Sequence, residues 1–294
     1  MSHLTRGARP ITSKQVQDHY NLFKYNAISL ADYTEIWRNW LTYTDSKTLN
    51  GLDNFKYANY TQGTSQTFDN FVLKHGKNKT IFAMRGDFQY HACISKFLDF
   101  DYIDKEFSTS KFFGLDLSAV IISVPFSDYG CMHPEFDRLM EMCAFYKAPV
   151  CLDLAYWGIA KNIHIDLNKY PMITEVTCSL SKPFYALENH RVGIRFTREY
   201  ADDGISMINE VNMQNTYSMS LGAHFMKSFS PDWNWETHQA QYEKVCMEKN
   251  LVYTDTVIFG LGGNEYKHFN RGIPDNNRVC VSEYLSNTAQ ETNY

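Results

Sequence analysis

Short apolar segments alternate with segments of helical period between residues 80 and 196 of this chain. The apolar segments predict strands at Thr80–Met84, Ala119–Val124, Pro149–Leu152, Ile173–Cys178 and Val192–Phe196. Two intervals between them, 90–98 and 134–146, repeat apolar side chains at helical spacing. Strands joined through helices run parallel, and near-continuous apolar strands are typical of a sheet buried on both faces. The alternation predicts a three-layer α/β/α domain around a mostly parallel sheet.

The segments that flank this region mostly repeat apolar residues at helical spacing. Further helices are predicted within 13–49 (two), near 68–73, over 205–229 as one long stretch and over 236–251, and a terminal strand is predicted at 279–281. After residue 200, long helical segments replace the alternation of strands and helices, which suggests a second structural unit. We expect a large domain over 55–200 and a smaller, mostly helical domain built from 1–54 and 201–294.

Charge and cysteine content exclude several classes of protein. The chain of 294 residues has 28 Lys and Arg against 33 Asp and Glu, a net charge of −5, which disfavours general nucleic-acid binding. The purest apolar run, Ala119–Val124, is too short to cross a membrane. None of the seven cysteines forms a C-x-x-C pair, so neither a zinc site nor a disulfide framework is predicted, and a cytoplasmic protein is expected.

Polar side chains follow two of the predicted strands at the point where each strand ends. Asp153 comes directly after Pro149–Leu152, and Ser179, Ser181 and Lys182 follow the strand that ends at Cys178. Arg191 opens the next strand. Ligands of open α/β sheets bind at the carboxyl ends of the strands. An acid, an amine and a guanidinium gathered there would suit a cofactor with a basic ring nitrogen, an aldehyde and a phosphate.

With these residues the chain resembles the fold-type-I, aspartate aminotransferase-like family of enzymes that use pyridoxal 5′-phosphate (PLP), class I and II aminotransferases in particular. The resemblance is clearest over 63–196. It implies that Lys182 forms the internal aldimine and transfers the substrate proton, that Asp153 keeps the pyridine nitrogen protonated, and that Tyr156 hydrogen-bonds the phenolic oxygen. Ser179 and Arg191 match the phosphate ligands, with Ser181 as a weaker addition.

Further cofactor and substrate contacts follow from the same resemblance. Gly63, Thr64 and Ser65 match the turn whose backbone N–H groups receive the phosphate at a helix start. Phe88 matches the aromatic ring that stacks on the cofactor, with Tyr90 as the alternative. Arg278, in the short motif Asn277–Ser282, matches the arginine that binds the substrate α-carboxylate.

The chain departs from the family pattern in several places. Ser127 stands where the family has an asparagine beside the phenolic oxygen, and Asp128 is an alternative contributor there. Pro183 follows the lysine directly, and the interval from Lys182 to Arg191 is one residue longer than usual. The chain is also short for the family, which implies a trimmed small domain.

The resemblance implies a PLP-dependent aminotransferase that moves an amino group between an amino acid and a 2-oxo acid. Two alternatives stay open: a PLP-dependent lyase, decarboxylase or racemase, and a non-catalytic binding or regulatory protein on the same fold. The family's site is built at a two-fold dimer interface, with a tyrosine from the neighbour reaching the phosphate. A homodimer is therefore expected, with Tyr57 and Tyr60 as candidates for that tyrosine.

Overall fold

The computed structural model describes residues 4–94, 96, 98–104 and 117–287. Its helices are α1 Lys14–Leu22, α2 Leu30–Thr42, α3 Thr64–His75, α4 His91–Ile94, α5 Phe136–Phe145, α6 Gly204–Glu210, α7 Thr216–Ser228, α8 Trp233–Glu248 and α9 Ser282–Asn287. Its strands are β1 Thr48–Asn50, β2 Tyr57–Gln62, β3 Thr80–Met84, β4 Phe100–Ile103, β5 Ser118–Ser123, β6 Val150–Asp153, β7 His164–Asp166, β8 Ile173–Ser179, β9 Val192–Thr197, β10 Val252–Tyr253, β11 Phe259–Gly262 and β12 Asn277–Cys280.

The central sheet has the strand order β2-β9-β8-β6-β5-β3-β4. Neighbours from β8 through β6, β5 and β3 to β4 pair in parallel. Strand β9 runs antiparallel to both β8 and β2. This arrangement confirms the predicted α/β fold with a mostly parallel sheet. It also brings the carboxyl ends of β2, β3, β5, β6 and β8, and the amino end of β9, to one edge.

The sheet is buried because helices cover both of its faces. Every residue of β5, β6 and β9 is buried, which explains why these segments read as continuous apolar runs. On one face, Phe68, Phe71 and Val72 of α3 pack against β3, β5 and β6. On the other face, α2, α5 and α7 contribute to a larger hydrophobic cluster.

A second hydrophobic cluster is formed mainly by the C-terminal part of the chain. Trp235 and Tyr242 of α8 pack there with Val279 of β12, within a unit that includes the small antiparallel sheet β10-β11-β12. Tyr156 and Ile159, which follow β6, also belong to this cluster. The loop after β6 therefore joins the central sheet to the C-terminal unit. In the part of the chain described here, helices long and apolar enough to span a membrane are absent.

Some predicted elements differ from those observed. The single long helix predicted over 205–229 is wrong: it is two helices, α6 and α7, separated by a turn in which Asn212 has φ 56°. Asn215 then caps α7, its side chain accepting from Ser218 N. The helix predicted over 90–98 is a single turn, α4, and residues 95 and 97 lie outside the described part of the chain. Strands β2 and β4 of the central sheet were not predicted, and neither were the short strands β1, β7, β10 and β11.

Candidate functional site

A cavity that is partly open to solvent lies at the edge of the sheet where the parallel strands end. It is lined by Thr64, Ser65, Phe88, Ser123, Ser127, Asp153, Ala155, Tyr156, Ser179, Ser181, Lys182 and Arg191. Apart from Gly63, Arg278 and the alternative candidates, the sequence-predicted site residues therefore line one cavity. The side chains come from the loops after β3, β5, β6 and β8 and from the start of α3, which only the folded sheet brings together.

One end of the cavity is rich in hydrogen-bond donors. Arg191, which has φ 54°, donates from Nη2 to Gln62 O at 3.1 Å and to Ser65 Oγ at 3.2 Å. The hydroxyls of Ser179 and Ser181 lie 3.0 Å apart. Helix α3 begins after Gly63, whose φ is 77°, and it has no side-chain cap. Its first N–H groups, the hydroxyls and the guanidinium form an end suited to an anion.

Gly63 does not line the cavity, but its backbone shapes this end. A Cβ built on Gly63 would lie 2.7 Å from Nη2 of Arg191. A side chain at this position would therefore displace the guanidinium, and the positive φ also favours glycine.

The cavity also contains the buried carboxylate of Asp153. Asp153 is the last residue of β6, is only 3% exposed, and accepts a hydrogen bond from Ala155 N at 2.9 Å. Burial raises the pKa of Asp153 to about 8; the Ala155 hydrogen bond and the charge of Lys182 lower it, and nearby Asp87 raises it further. A positively charged group beside Asp153 in the cavity would stabilise the ionised form of this buried carboxyl group.

Lys182 reaches the cavity from the loop that follows β8. Its Nζ donates to Ala8 O at 3.1 Å, in the N-terminal segment. That segment is held nearby because Thr5 pairs with Cys280 at the end of β12. The lysine amine is therefore held by a contact with the N-terminal segment.

The aromatic wall is formed by Phe88. Its ring packs edge-on against Phe68 and His91 and stacks on Tyr90 at 5.9 Å. Tyr90, the predicted alternative, does not line the cavity, and its hydroxyl donates to Asp69 Oδ1 at 2.6 Å.

Asp87 is a site-proximal residue that the sequence did not single out. It is 4% exposed, accepts from Phe88 N at 2.7 Å and from Ser123 N at 2.9 Å, and also accepts from the Ser123 hydroxyl. Asp87 thereby fixes the loop after β3 to the end of β5. Its only sequence signal is its position shortly after a predicted strand.

Tyr156 lines the cavity from the loop after β6 and is 7% exposed. Its ring packs edge-on against Phe259 at 5.4 Å. The C-terminal unit therefore fixes the orientation of the tyrosine.

Two arginines lie next to Ser127. Arg278 does not line the cavity: it is 1% exposed, its guanidinium covers the ring of Phe259, and it donates to Ser127 O and to Arg6 O. Arg271, which sequence reasoning missed, donates to Ser127 Oγ at 3.2 Å. No periodicity or motif marks Arg271, since it lies in an irregular segment before β12.

The remaining candidates lie outside the cavity. Asp128 is fully buried and accepts from Asn276 Nδ2 at 3.0 Å. Tyr60 is buried and donates to Arg191 O at 3.2 Å, whereas Tyr57 is partly exposed on the edge strand β2.

Comparison with known proteins gives matches in structure. No protein-family model matches the chain, and no curated protein matches its sequence. An aspartate aminotransferase from Thermus thermophilus, solved with maleate, has a TM-score of 0.67 at 12% identity, over 97% of this chain and 89% of that one. A PLP-bound C-S lyase from Staphylococcus hominis has a TM-score of 0.67 at 11% identity, with the same coverage.

An alanine aminotransferase from Pyrococcus furiosus also matches, with a TM-score of 0.64 at 10% identity over 96% of this chain and 89% of that one. These structures share one fold although one is an aspartate aminotransferase, one an alanine aminotransferase and one a C-S lyase. The likeness confirms that this chain has the aspartate aminotransferase-like fold, fold type I of the PLP-dependent enzymes.

Proposed function

We propose that this chain binds PLP and transfers an amino group between an amino acid and a 2-oxo acid, with Lys182 as the catalytic amine. The strongest support is that one cavity contains a donor-rich end suited to an anion, the buried carboxylate of Asp153 and the amine of Lys182. Each would contact a different part of the same cofactor.

The donor-rich end fits a phosphate group. The N–H groups at the start of α3 and the hydroxyls of Ser65, Ser179 and Ser181 would surround its oxygens. Arg191, already 3.2 Å from Ser65 Oγ, would provide a charged contact. Gly63 leaves room for that guanidinium.

The carboxylate fits the ring nitrogen of the same cofactor. Because burial raises the pKa of Asp153, a protonated pyridine nitrogen beside it would stabilise the ionised acid, and the acid would keep that nitrogen protonated. Phe88 would cover one face of the ring, and the Tyr156 hydroxyl would lie near the phenolic oxygen.

When bound, the cofactor supplies an aldehyde for the amine and a ring that delocalises the electrons left when a substrate proton is removed. Lys182 would hold the cofactor covalently, give way to the substrate amine, and then, as a free base, move a proton between the substrate α-carbon and the cofactor. The loop after β8 places this amine in the cavity together with Asp153. Asp153 would hold the charge of the ring constant while the proton moves.

Arg278 is the proposed contact for the substrate α-carboxylate. Its guanidinium now donates to the carbonyl oxygens of Ser127 and Arg6. Substrate binding at this arginine therefore requires the N-terminal segment to release at least the Arg6 contact. The same segment holds Ala8 against Lys182 Nζ, so its displacement would free both groups.

The first test is an absorbance spectrum of the protein purified with PLP, repeated after borohydride reduction and on the Lys182→Ala variant. We expect a visible band that borohydride converts into a permanent attachment and that the variant lacks. Lys244→Ala is the matched control, because Lys244 is a surface lysine 70% exposed on α8. Wild-type protein without such a band and without retained cofactor would refute the proposal.

A lyase is the second candidate, because the C-S lyase matches as well as the aspartate aminotransferase does. The products separate the two reactions. Transamination converts the added amino acid into its 2-oxo acid and leaves the cofactor aminated, whereas elimination releases ammonia and leaves the cofactor unchanged. Formation of ammonia in each turnover would favour the lyase.

We also infer a homodimer. Edge strand β2, helix α6 and the segment after α6 each carry an exposed apolar side chain, respectively Tyr57, Met207 and Met213. Exposed apolar surface is typical of protein interfaces. Sedimentation velocity should show a dimer for the wild type and a monomer for the Met207→Lys/Met213→Lys variant; a wild-type monomer would refute the inference.

A further inference from the structure

Arg271 is a second buried guanidinium beside Ser127. Its side chain is 5% exposed, Nη1 lies 3.2 Å from Ser127 Oγ, and Nη2 lies 3.3 Å from Asp87 O. Asp128 Oδ1, which accepts no hydrogen bond from the described residues, lies 3.7 Å from Nη1. Arg271 therefore connects the loop after β3, the loop after β5 and the segment before β12.

The direction of the Ser127 hydrogen bond follows from the chemistry of arginine. A guanidinium has only donors, so the Ser127 oxygen must accept from Arg271. The other described contact of this oxygen is also a donor, Arg278 Nη1 at 3.5 Å. The hydroxyl proton of Ser127 is thus left for an acceptor elsewhere, and Ser127 lines the cavity.

We propose that Arg271 is a positioning residue that holds Ser127 so that its hydroxyl donates to the phenolic oxygen of bound PLP. This inference rests on the proposed function. In the family that the chain resembles, an asparagine amide makes that contact. Here a shorter side chain makes it, and a fixed guanidinium orients it and strengthens the donor.

Several charged groups face this contact. Arg278 and Arg271 both contact Ser127, and the carboxylates Asp128 and Asp87 partly balance their charge. Lys182, Asp153 and Tyr156 line the same cavity as Ser127.

A donor at the phenolic oxygen, backed by a cation, lowers the affinity of the neighbouring lysine-bound nitrogen for its proton. The structure therefore predicts that removal of Arg271 raises the pH at which the visible absorption of the lysine-bound cofactor changes. This readout does not depend on turnover.

The experiment is a pH titration of the absorbance of PLP-loaded protein. We expect Arg271→Gln to raise the midpoint by about one pH unit and Ser127→Ala to raise it in the same direction. The double variant should shift no further than Ser127→Ala alone, because Arg271 acts through Ser127. Arg138→Gln, at an arginine 58% exposed on α5, removes the same charge and should leave the midpoint unchanged.

Two results would overturn the inference. One is a Ser127→Ala variant with the same midpoint as wild type. This measurement alone tests the inference if Arg271→Gln does not fold. The other is shifts that add fully in the double variant, since these would mean that Arg271 acts without Ser127. If wild-type protein shows the visible band but the midpoints of the variants equal that of wild type, only this inference is refuted. If wild-type protein shows no band, both the proposed function and this inference are refuted.

Discussion

The backbone of Gly63 lies directly against the guanidinium of Arg191. A Cβ built on Gly63 would lie 2.7 Å from Arg191 Nη2, closer than real contacts allow, and Gly63 has φ 77°. The arginine therefore keeps its hydrogen bonds to Gln62 O and Ser65 Oγ only because residue 63 has no side chain.

The Gly63→Ala variant should weaken cofactor binding and lower stability. The added methyl group would displace Arg191 from the anion end, and the positive φ would cost about 1 kcal/mol. We expect the dissociation constant for PLP to rise about tenfold or more, measured by titration of the visible absorbance. Gly204→Ala is the matched control, since a Cβ there meets nothing within 4 Å. Equal affinity of both variants would contradict this account of the anion end.

Asp153 predicts a pH-dependent stability of the cofactor-free protein. The pKa of Asp153 in the folded protein, about 8, lies above its value in the unfolded chain. The contribution of Asp153 to the free energy of unfolding is therefore complete below about pH 4, and it is lost as the pH rises towards 8. Asp153→Asn cannot ionise and escapes this loss. Relative to wild type, the variant should gain about 4 kcal/mol in free energy of unfolding between pH 5 and pH 8.5, measured by urea denaturation.

The control for this titration is Asp18→Asn, at an exposed carboxylate on α1 that pairs with Lys14. Its stability difference from wild type should vary little over the same pH range. A difference between Asp153→Asn and wild type that is independent of pH would contradict the prediction.

How much of the site could be predicted depends on where each residue lies in the chain. Asp153 and Lys182 follow apolar strands at once, so the sequence places them at the ends of neighbouring strands. Arg271 could not be predicted in this way. Its segment is irregular, and Asn270 fixes it through hydrogen bonds to Ile273 O and Asn276 O that only the folded chain shows.

The same reasoning explains which elements of the fold were missed. Strand β2 contains Asn59, Thr61 and Gln62, so it lacks an apolar run, and its pairing with β9 links residues far apart in the chain. The spacing of apolar residues that predicted one helix over 205–229 continues across the break between α6 and α7. The helix is interrupted there because Asn212 has a left-handed backbone conformation and Asn215 caps α7. Apolar periodicity detects neither of these local effects.

Asn234 of α8 joins the two loops that carry the acid and the amine. Its side chain is 2% exposed, and Nδ2 donates to Gly158 O at 2.9 Å and to Pro183 O at 3.1 Å. Gly158 follows Asp153 in one loop, and Pro183 follows Lys182 in the other. We expect Asn234→Ala to lower stability by about 2 kcal/mol and to weaken cofactor binding as well, because Lys182 loses its support.

Asn277→Ala provides the comparison that separates positioning from stability. Asn277 is 3% exposed and likewise donates from Nδ2 to two backbone carbonyls, Gly262 O and Gly263 O, outside the Lys182 loop. Both variants should lose similar stability in urea denaturation, but only Asn234→Ala should bind PLP more weakly. Equal losses of affinity would mean that Asn234 acts through overall stability alone.

Asp232 anchors the start of α8 to the segment between α2 and β1. It accepts from the ammonium of Lys47 and from the hydroxyls of Thr44 and Ser46, and Lys47 is completely buried. Burial opposes the charge of Asp232, but these donors hold its pKa at about 2. Asp232→Ala leaves the buried ammonium of Lys47 without its carboxylate and should cost about 3 kcal/mol in urea denaturation at pH 7.

The pH dependence of this cost follows from the lowered pKa. The Asp232 contribution is complete above the usual aspartate value of about 4 and is lost as the pH falls towards 2, so the difference between wild type and Asp232→Ala should shrink over that range. Asp18→Ala is the matched control, because that exposed pair with Lys14 contributes about 0.5 kcal/mol or less. A loss no larger than that of Asp18→Ala at pH 7 would show that the buried pair contributes nothing to holding α8 in place.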